Sequence, residues 1–385
     1  MTRIGFAYNQ KPDSPGGPVP DASPDARRDE EPPSTRDAYA EWDSAETIDA
    51  VASALRAHGS VIRLEATEDF PERLRAEHPD IVFNIAEGLH GTNREAHVPA
   101  ICEFFGIPYS GSDPFTLSLC LHKARAKEFL TAYGIPNAPF LLIESSADLE
   151  RLLSGNSPLG QRPSAAAPVF LKPVQEGSSK GITEKNLVHS ERELVAQAHY
   201  LLDAYAQPVI AEAFLPGAEF TCGVLGNGAS ARVLPLVGMN FDSLPGGALP
   251  IYGFEAKWIW DSADEPLDIF ECPASVAPQL RSAIEDVVLR AYRALGCRDW
   301  SRIDVRLDAA GRPNIVEINP LPGILPNPRD NSCLPKAARA AGLSYDELIQ
   351  CALGHAAERS GVPLRSIGSR YATAANRATV AEAVA

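Results

Sequence analysis

The chain has 385 residues, of which 45% are hydrophobic, enough for two or three ordinary cores. Its 35 Lys and Arg against 50 Asp and Glu leave a formal charge of −15, without a basic stripe, so nucleic acid is not an expected partner. The seven cysteines form no C-x-x-C pair, which argues against a disulfide framework and a zinc site. Neither an apolar export region nor a run of about 18 apolar residues is present, so we expect a soluble cytoplasmic protein without a membrane partner.

The first part of the chain alternates strands and helices. An apolar strand at 4–8 precedes a stretch rich in Pro, Gly and charge, about residues 11–37, which we expect to be a mobile surface insertion. An amphipathic helix is predicted over 43–56, with Asp43 and Glu46 in capping-box spacing and Gly59 as its C-terminal cap. Strands at 61–64 and 81–84 complete a β-α-β-α order, which predicts a parallel sheet covered by helices.

The rest of the chain has a different order of elements. A helix is predicted up to Gly134, then a strand that ends at Lys172, further strands at 209–212, 219–225 and 232–237, and a long helix at 277–295 before a hairpin. Because this order indicates mostly antiparallel sheet, we place boundaries near Asp113 and Pro216. The predicted units are an N-terminal domain (1–113), a central lobe (114–215), a C-terminal lobe (216–367) and a frayed tail (368–385).

The hairpin "SRIDVRLDAAGRPNIVEINP" carries acids on one face. Polar and apolar residues alternate along each strand, and one antiparallel register sets Asp304 opposite Glu317 and Arg302 opposite Asn319. A solvated face with a surface ion pair is one interpretation. Strands normally avoid like charges directly opposite each other, however, and two carboxylates with a carboxamide are oxygen ligands that Mg²⁺ prefers.

The segment "VFLKPVQEGSSKGI" sets Lys172 at a strand end just before a Gly/Ser loop. Such a loop lets backbone N–H groups approach a phosphate while the ammonium supplies charge, although most Gly/Ser loops bind nothing. The chain has no Walker A sequence, and no G-x-G-x-x-G follows a strand. Lys123, Lys257 and the hairpin acids together with Lys172 favour a nucleotide triphosphate held by local cations and metal, since the overall field of the protein opposes that ligand.

In several motifs the chain resembles the ATP-grasp superfamily and, within it, the D-alanine:D-alanine ligase family. The resemblance covers about residues 80–353 and includes "GIPYSGS", "LHKARAKEFLTAYGIPNAPF", "VFLKPVQEGSSKGI", "AEAFLPGAEFTCGVLG", "RIDVRLD" and "VEINPLPG". It implies an α/β ATP-grasp fold, with an N-terminal Rossmann-like parallel domain and two α+β lobes that enclose ATP. It also implies ATP-driven peptide-bond formation through an acyl phosphate, with release of ADP and phosphate. Homodimers are common in that family.

The resemblance implies roles for individual residues. Arg302 and Gly323 would hold the developing oxyanion, and Ser178 lies in the loop that closes over the phosphates. Two Mg²⁺ ions, for which Mn²⁺ could substitute, would be held by Asp304, Glu317 and Asn319. The implied ATP-binding residues are Lys123, Lys172, Ser178, Ser179, Glu212, Phe214, Leu215, Glu219 and Lys257. The implied or candidate substrate-binding residues are Glu41, Glu87, His90 and Ser332.

The substrate end departs from the family pattern. The Gly-Gly turn and Ser-x-Glu of the family are absent near the start, although Glu41 falls close to the position of the family's glutamate. Glu87 and His90 stand in an altered turn, where they are candidates for orienting an amine or are simply solvated. The segment between Gly323 and Ser332 is longer than usual. Two alternatives therefore stay open: an ATP-grasp ligase that joins non-alanine substrates, small amines and carboxylates, in a specialised pathway instead of cell-wall synthesis, and an ATP-binding regulatory protein without catalysis.

Overall fold

The computed structural model describes residues 1–12, 39–88, 90–154, 158–159, 162–246, 248–251, 253 and 267–365. The expected mobile insertion at 11–37 lies outside the described residues except for positions 11 and 12. Lys257 and the expected tail at 368–385 also lie outside them. Within these ranges, no helix combines the length and the apolar character needed to cross a membrane.

The first sheet is parallel, as predicted, with three strands in the order β2–β1–β3. All four residues of β3 are buried, as expected for a parallel strand covered on both faces. The strands are β1 (Thr2–Tyr8), β2 (Gly59–Glu65) and β3 (Ile81–Asn84). The helices of this part are α1 (Ala45–Leu55), α2 (Phe70–Glu77) and α3 (His97–Phe105).

Both predicted ends of α1 are wrong. The N-cap is Ser44 rather than Asp43, because the Ser44 hydroxyl accepts a hydrogen bond from the backbone N–H of Thr47. The helix ends at Leu55, and Gly59 begins β2 instead of capping the helix. A Cβ at Gly59 would overlap the carbonyl oxygen of Thr2, so this glycine permits the close approach of β1 and β2.

The second sheet has four antiparallel strands in the order β4–β7–β5–β6. The single helix predicted before it is two helices, because His122 leaves the helical conformation (φ −89°, ψ 91°) and its ring accepts a hydrogen bond from the N–H of Arg125. The strands are β4 (Phe140–Ile143), β5 (Val169–Pro173), β6 (Leu187–Val188) and β7 (Val209–Ala213). The helices are α4 (Pro114–Leu121), α5 (Lys123–Ala132), α6 (Ser146–Leu153) and α7 (Glu191–Tyr205).

The third sheet has six antiparallel strands, with the path β11–β10–β8–β12–β13 and with β9 paired to β8. The single strand predicted over 232–237 is two short strands, β9 and the start of β10. The strands are β8 (Glu219–Leu225), β9 (Arg232–Val233), β10 (Val237–Met239), β11 (Phe270–Glu271), β12 (Trp300–Leu307) and β13 (Pro313–Asn319). The helices are α8 (Pro278–Ala294), α9 (Cys333–Ala340) and α10 (Tyr345–Ser360).

The first sheet shares one hydrophobic core with the last helices of the chain. Helix α10 packs on α1, and the ring of Trp300 on β12 meets that of Phe83 on β3 edge-on at 5.4 Å. The C-terminal helix therefore fixes the first sheet against the third. The domain boundaries near residues 113 and 216 stay a prediction.

Candidate active site

A cavity of about 260 Å³ is lined by residues from α5, β5, β7, β8, β12, β13 and the segment before α1. It brings together most of the residues that the sequence singled out. Those that line it are Glu41, Lys123, Lys172, Ser178, Ser179, Glu212, Phe214, Leu215, Glu219, Arg302, Asp304, Glu317, Gly323 and Ser332. Glu87, His90 and Asn319 are not among the lining residues.

The β12–β13 hairpin places two carboxylates side by side at the cavity wall. Asp304 pairs with Glu317 and Arg302 with Asn319, which confirms the predicted register. Asp304 is bound by Arg302 and by the Thr221 hydroxyl, each at 2.9 Å.

The hairpin residues fit a Mg²⁺ site. Burial opposes ionisation of Glu317, but the positive charges of Lys123 and Lys172 outweigh it and lower the pKa of this carboxyl. The amide nitrogen of Asn319 is buried without a hydrogen-bond partner among the described residues, but an N–H group donates and does not ligate a cation, so a metal would take the oxygen of this amide. In the described ranges no cluster of three or more His, Cys, Asp or Glu side chains has the arrangement of a metal site. Asp304, Glu317 and Asn319 stay the candidate ligands, because two carboxylates and an amide oxygen on adjacent strands form an all-oxygen set suited to Mg²⁺.

Helix α5 carries two lysines one turn apart on the face toward the cavity, so each reaches a carboxylate of a different sheet. Lys123 contacts Glu317 on β13 at 2.7 Å, and Lys127 contacts Glu212 on β7 at 2.6 Å. Lys172 on β5 contacts the other oxygen of Glu212. Sequence reasoning missed Lys127, although its spacing from Lys123 was a usable signal.

A second cation was missed on the hairpin. Arg306 follows the same alternation as Arg302 and Asp304, and its side chain is buried against the cavity. It pairs with Glu219 at 2.8 Å, and its guanidinium lies 4.7 Å from the centre of the Phe214 ring. Burial raises the pKa of Glu219, and Arg306 opposes that rise. Arg306 thus contacts both a carboxylate and an aromatic ring of the cavity wall.

The loop after β5 has a constrained backbone. Ser178 and Ser179 adopt positive φ values of 49° and 61°, which are uncommon for residues with a side chain. The N–H of Gly177 donates to Glu41 at 3.0 Å, and a Cβ at position 177 would overlap that carboxylate. The structure therefore holds this loop in a defined conformation over the cavity.

Glu41 is engaged by cations that the sequence did not single out. Its carboxylate lies 2.9 Å from both Arg94 and Lys180, and all three side chains are buried. Burial opposes ionisation of Glu41, but Arg94 and Lys180 lower its pKa. These partners lie far away along the chain, so no local pattern could have indicated them. The role of Glu41 in substrate binding stays a prediction.

The cavity is also lined by Ser332, Lys11 and Asp43. Ser332 is the N-cap of α9, and its hydroxyl accepts from the N–H of Leu325 at 3.2 Å and donates to the carbonyl of Gly323 at 3.3 Å. Burial raises the pKa of Asp43 to about 7, although the Lys11 ammonium opposes this rise. These residues add a hydroxyl, an ammonium and a carboxyl group to the cavity wall.

The two remaining candidates, Glu87 and His90, lie away from the cavity wall. His90 is exposed. Burial, followed by the charges of Glu95 and Glu41, raises the pKa of Glu87 well above its usual range. Their roles stay predictions.

Two antiparallel sheets that enclose a cavity lined by lysines and paired carboxylates, next to a parallel α/β unit, define an ATP-grasp protein. The sequence model described as "D-ala D-ala ligase C-terminus" matches residues 129–353, and the chain belongs to this family.

Named relatives and solved structures agree with this assignment. The chain is 34% identical over 287 residues to the D-alanine–D-alanine ligase of Bordetella petrii, which covers 74% of this chain and 79% of that protein. It is 31% identical over 301 residues to D-alanine–D-alanine ligase B of Chromobacterium violaceum, an alignment that covers 77% of this chain and 88% of that protein. The structure of the D-alanine–D-alanine ligase from Bacillus anthracis complexed with ATP aligns with a TM-score of 0.64 at 19% identity, over 94% of this chain and 99% of that chain. The structure of the VanG D-Ala:D-Ser ligase of Enterococcus faecalis aligns with a TM-score of 0.63 at 20% identity, over 92% of this chain and 99% of that chain. These alignments confirm the predicted fold.

Proposed function

We propose that the protein is a carboxylate–amine ligase that uses ATP and two Mg²⁺ ions to form a peptide bond through an acyl phosphate. The observation that carries this proposal is the direct pairing of Asp304 with Glu317 beside Lys123 and Arg302. A carboxylate that attacks the γ-phosphate of ATP meets another anion. At about 4 Å and an effective dielectric of 20, two unit charges repel by about 4 kcal/mol.

Several side chains that line the cavity would offset this repulsion, because they place positive charge or a metal ion next to the reacting groups. Lys123 and Lys172 supply positive charge from α5 and β5, and the loop with Ser178 and Ser179, which lines the cavity, would exclude water above the phosphates. Asp304, Glu317 and Asn319 would hold Mg²⁺, which would neutralise part of the negative charge of the phosphates when bound. Arg302 would then stabilise the oxyanion that forms when the amine attacks the acyl carbon, a contribution of about 3 to 4 kcal/mol for a single donor.

D-Alanine is the first candidate for both substrates, since the named relatives are D-alanine–D-alanine ligases. A specific observation favours a second candidate, a ligase for other amino acids. Glu41 is bound by Arg94 and Lys180, while Lys11 and Asp43 also line the cavity. In either case the substrates are small molecules. A homodimer and a cytoplasmic location stay predictions.

The test is incubation of the purified protein with ATP, MgCl₂ and a panel of D- and L-amino acids, singly and in pairs. We expect ADP and phosphate only with an acceptable pair, and a product of dipeptide mass by mass spectrometry. Lys172→Ala and Glu317→Gln should lower turnover by orders of magnitude, whereas Lys185→Ala, at an exposed lysine, is the matched control. AMP and pyrophosphate would contradict the acyl-phosphate route. Binding of ATP without turnover on any pair would favour the regulatory alternative.

A further inference from the structure

Glu212 lies between two buried lysines. Lys127 lies 2.6 Å from one carboxylate oxygen of Glu212, and Lys172 contacts the other oxygen. The side chains of Lys127, Lys172 and Glu212 are 3%, 7% and 6% exposed. Water therefore screens these charges weakly, and their sum decides what the site attracts.

The three charges add to one net positive charge. Burial opposes ionisation of Glu212, but Lys127 and Lys172 lower its pKa to about 2, so the carboxylate is charged near neutral pH. The other acids near these lysines already have partners, since Glu317 is paired with Lys123 and Glu219 with Arg306. The surplus charge is therefore available to an incoming anion.

We propose that Lys127, which stands outside the implied phosphate-binding set, is a positioning residue for the nucleotide: it balances the charge of Glu212, so that Lys172 keeps its own positive charge for a phosphate. This inference rests on the proposed use of ATP. An ammonium has three hydrogens, so Lys172 can hold Glu212 and a phosphate oxygen together. Without Lys127, Lys172 and Glu212 would form a neutral pair with no net charge to offer.

The charge balance predicts how two substitutions combine. Lys127→Met should weaken the binding of Mg²⁺·ADP by about 100-fold, the scale expected when one partner of a buried charge pair is removed. In the Glu212→Gln background, Lys127→Met should weaken the binding of Mg²⁺·ADP by about threefold or less, because the carboxylate that needs a second cation is then absent. If Lys127 contacted the nucleotide directly, its substitution would lower the affinity for Mg²⁺·ADP by the same factor in both backgrounds.

Proton linkage gives a second readout. In Lys127→Met, nucleotide binding should be accompanied by uptake of up to one proton as Glu212 becomes neutral. The wild-type protein and the double variant should show no such uptake at this carboxyl. Lys127→Arg keeps the charge and should bind the nucleotide within a few-fold of the wild-type protein.

The experiment is isothermal titration calorimetry of the full chain with Mg²⁺·ADP at pH 7, in two buffers of different ionisation enthalpy. It compares the wild type, Lys127→Met, Glu212→Gln, the double variant and Lys127→Arg. The inference would be overturned if Lys127→Met lowered the affinity for Mg²⁺·ADP equally in the wild type and in Glu212→Gln. It would also be overturned if the single variant Lys127→Met took up no proton on binding. If Lys127→Met does not fold, the double variant against Glu212→Gln decides, and a 100-fold difference between them would reject the role. Failure of the wild-type protein to bind nucleotide would instead reject the proposed function.

Discussion

Glu41 and Lys180 form a buried ion pair of 2.9 Å that joins the segment before α1 to the loop after β5. The same carboxylate accepts a hydrogen bond from the N–H of Gly177, so Glu41 holds the loop at two points. Arg94 binds Glu41 and also donates to the carbonyl of Gln175, where the loop begins. The first part of the chain therefore sets the position of this loop, which lines the cavity.

Glu41→Gln should release this loop. The variant keeps the shape of the side chain but leaves Lys180 and Arg94 without their charged partner, which typically costs about 3 to 5 kcal/mol for a buried pair. We expect the KM for ATP to rise at least about tenfold, and trypsin to cleave after Lys180 faster than in the wild-type protein.

The matched control is Glu191→Gln, which breaks an exposed ion pair with Arg162. This variant should leave both measurements unchanged. A different pattern in Glu41→Gln, with a raised KM for an amino acid only and with normal protection of the loop, would show that Glu41 contacts substrate instead.

Asp304→Asn should raise the Mg²⁺ concentration required for half-maximal activity by about tenfold or more, because a neutral amide binds a hard cation more weakly than a carboxylate. The measurement is a Mg²⁺ titration at saturating ATP. Chelation with EDTA should abolish activity, and Mn²⁺ should restore it. Asp286→Asn, at an exposed acid on α8, is the control. Identical Mg²⁺ curves for Asp304→Asn and the wild type would remove Asp304 from the metal set.

The hairpin could be predicted because strands alternate with a period of two, which fixed Asp304 opposite Glu317. The register shift after Asp304 could not be predicted from this alternation. Val305 pairs with Ile315, so Val316 is an extra residue in a bulge. A single extra residue leaves the alternation of each strand readable but changes which residues meet beyond it. The acids lie on the correctly predicted side of this bulge.

Other features depended on contacts that no local pattern contains. Ser44 and Asp43 are both good N-caps, and the choice is made by the residue that follows β1, since the N–H of Asp43 donates to the carbonyl of Asn9. Arg94 and Glu41 are 53 residues apart, so their ion pair depends on the tertiary structure. The sequence thus indicated the residues that carry chemistry in short motifs, but not the charges that hold them in place.

Asp43→Asn should change how stability depends on pH. Burial raises the pKa of Asp43 from 3.8 to about 7, so between these values the folded protein binds more protons than the unfolded chain. This group therefore lowers the unfolding free energy as the pH rises from about 4 to 7, with no further effect above 7. The variant has no carboxyl at this position, so its unfolding free energy does not fall for this reason as the pH rises. It should be more stable than the wild type at pH 8, by up to about 4 kcal/mol, with little difference at pH 4.

The measurement for Asp43 is the difference in unfolding free energy between variant and wild type, from urea denaturation at several pH values. Taking the difference cancels other groups such as Glu95, whose pKa burial also raises to about 7. Asp49→Asn, at an exposed acid on α1, is the matched control. A difference that stays constant from pH 4 to 8 would show that Asp43 is not buried as an acid in solution.

Arg359→Ala should destabilise the junction of the first sheet, the third sheet and α10. Arg359 binds Asp299 at 3.0 Å and donates to the carbonyls of Tyr109 and Gly111, and the Asp299 side chain is fully buried. Removing the guanidinium leaves a buried carboxylate without its cation, which costs about 3 to 5 kcal/mol. We expect the low end of this range, because Asp299 keeps hydrogen bonds from Asn227 and from the N–H of Gly111.

The urea midpoint, followed by circular dichroism, measures the effect of Arg359→Ala. Arg290→Ala, which removes an exposed arginine from α8 beside Asp286, should shift the midpoint little. Because Arg359 lies outside the cavity lining, the variant that remains folded should keep its KM for ATP. A large change in this KM without a change in midpoint would mean that α10 acts on the cavity, and does not only join the sheets.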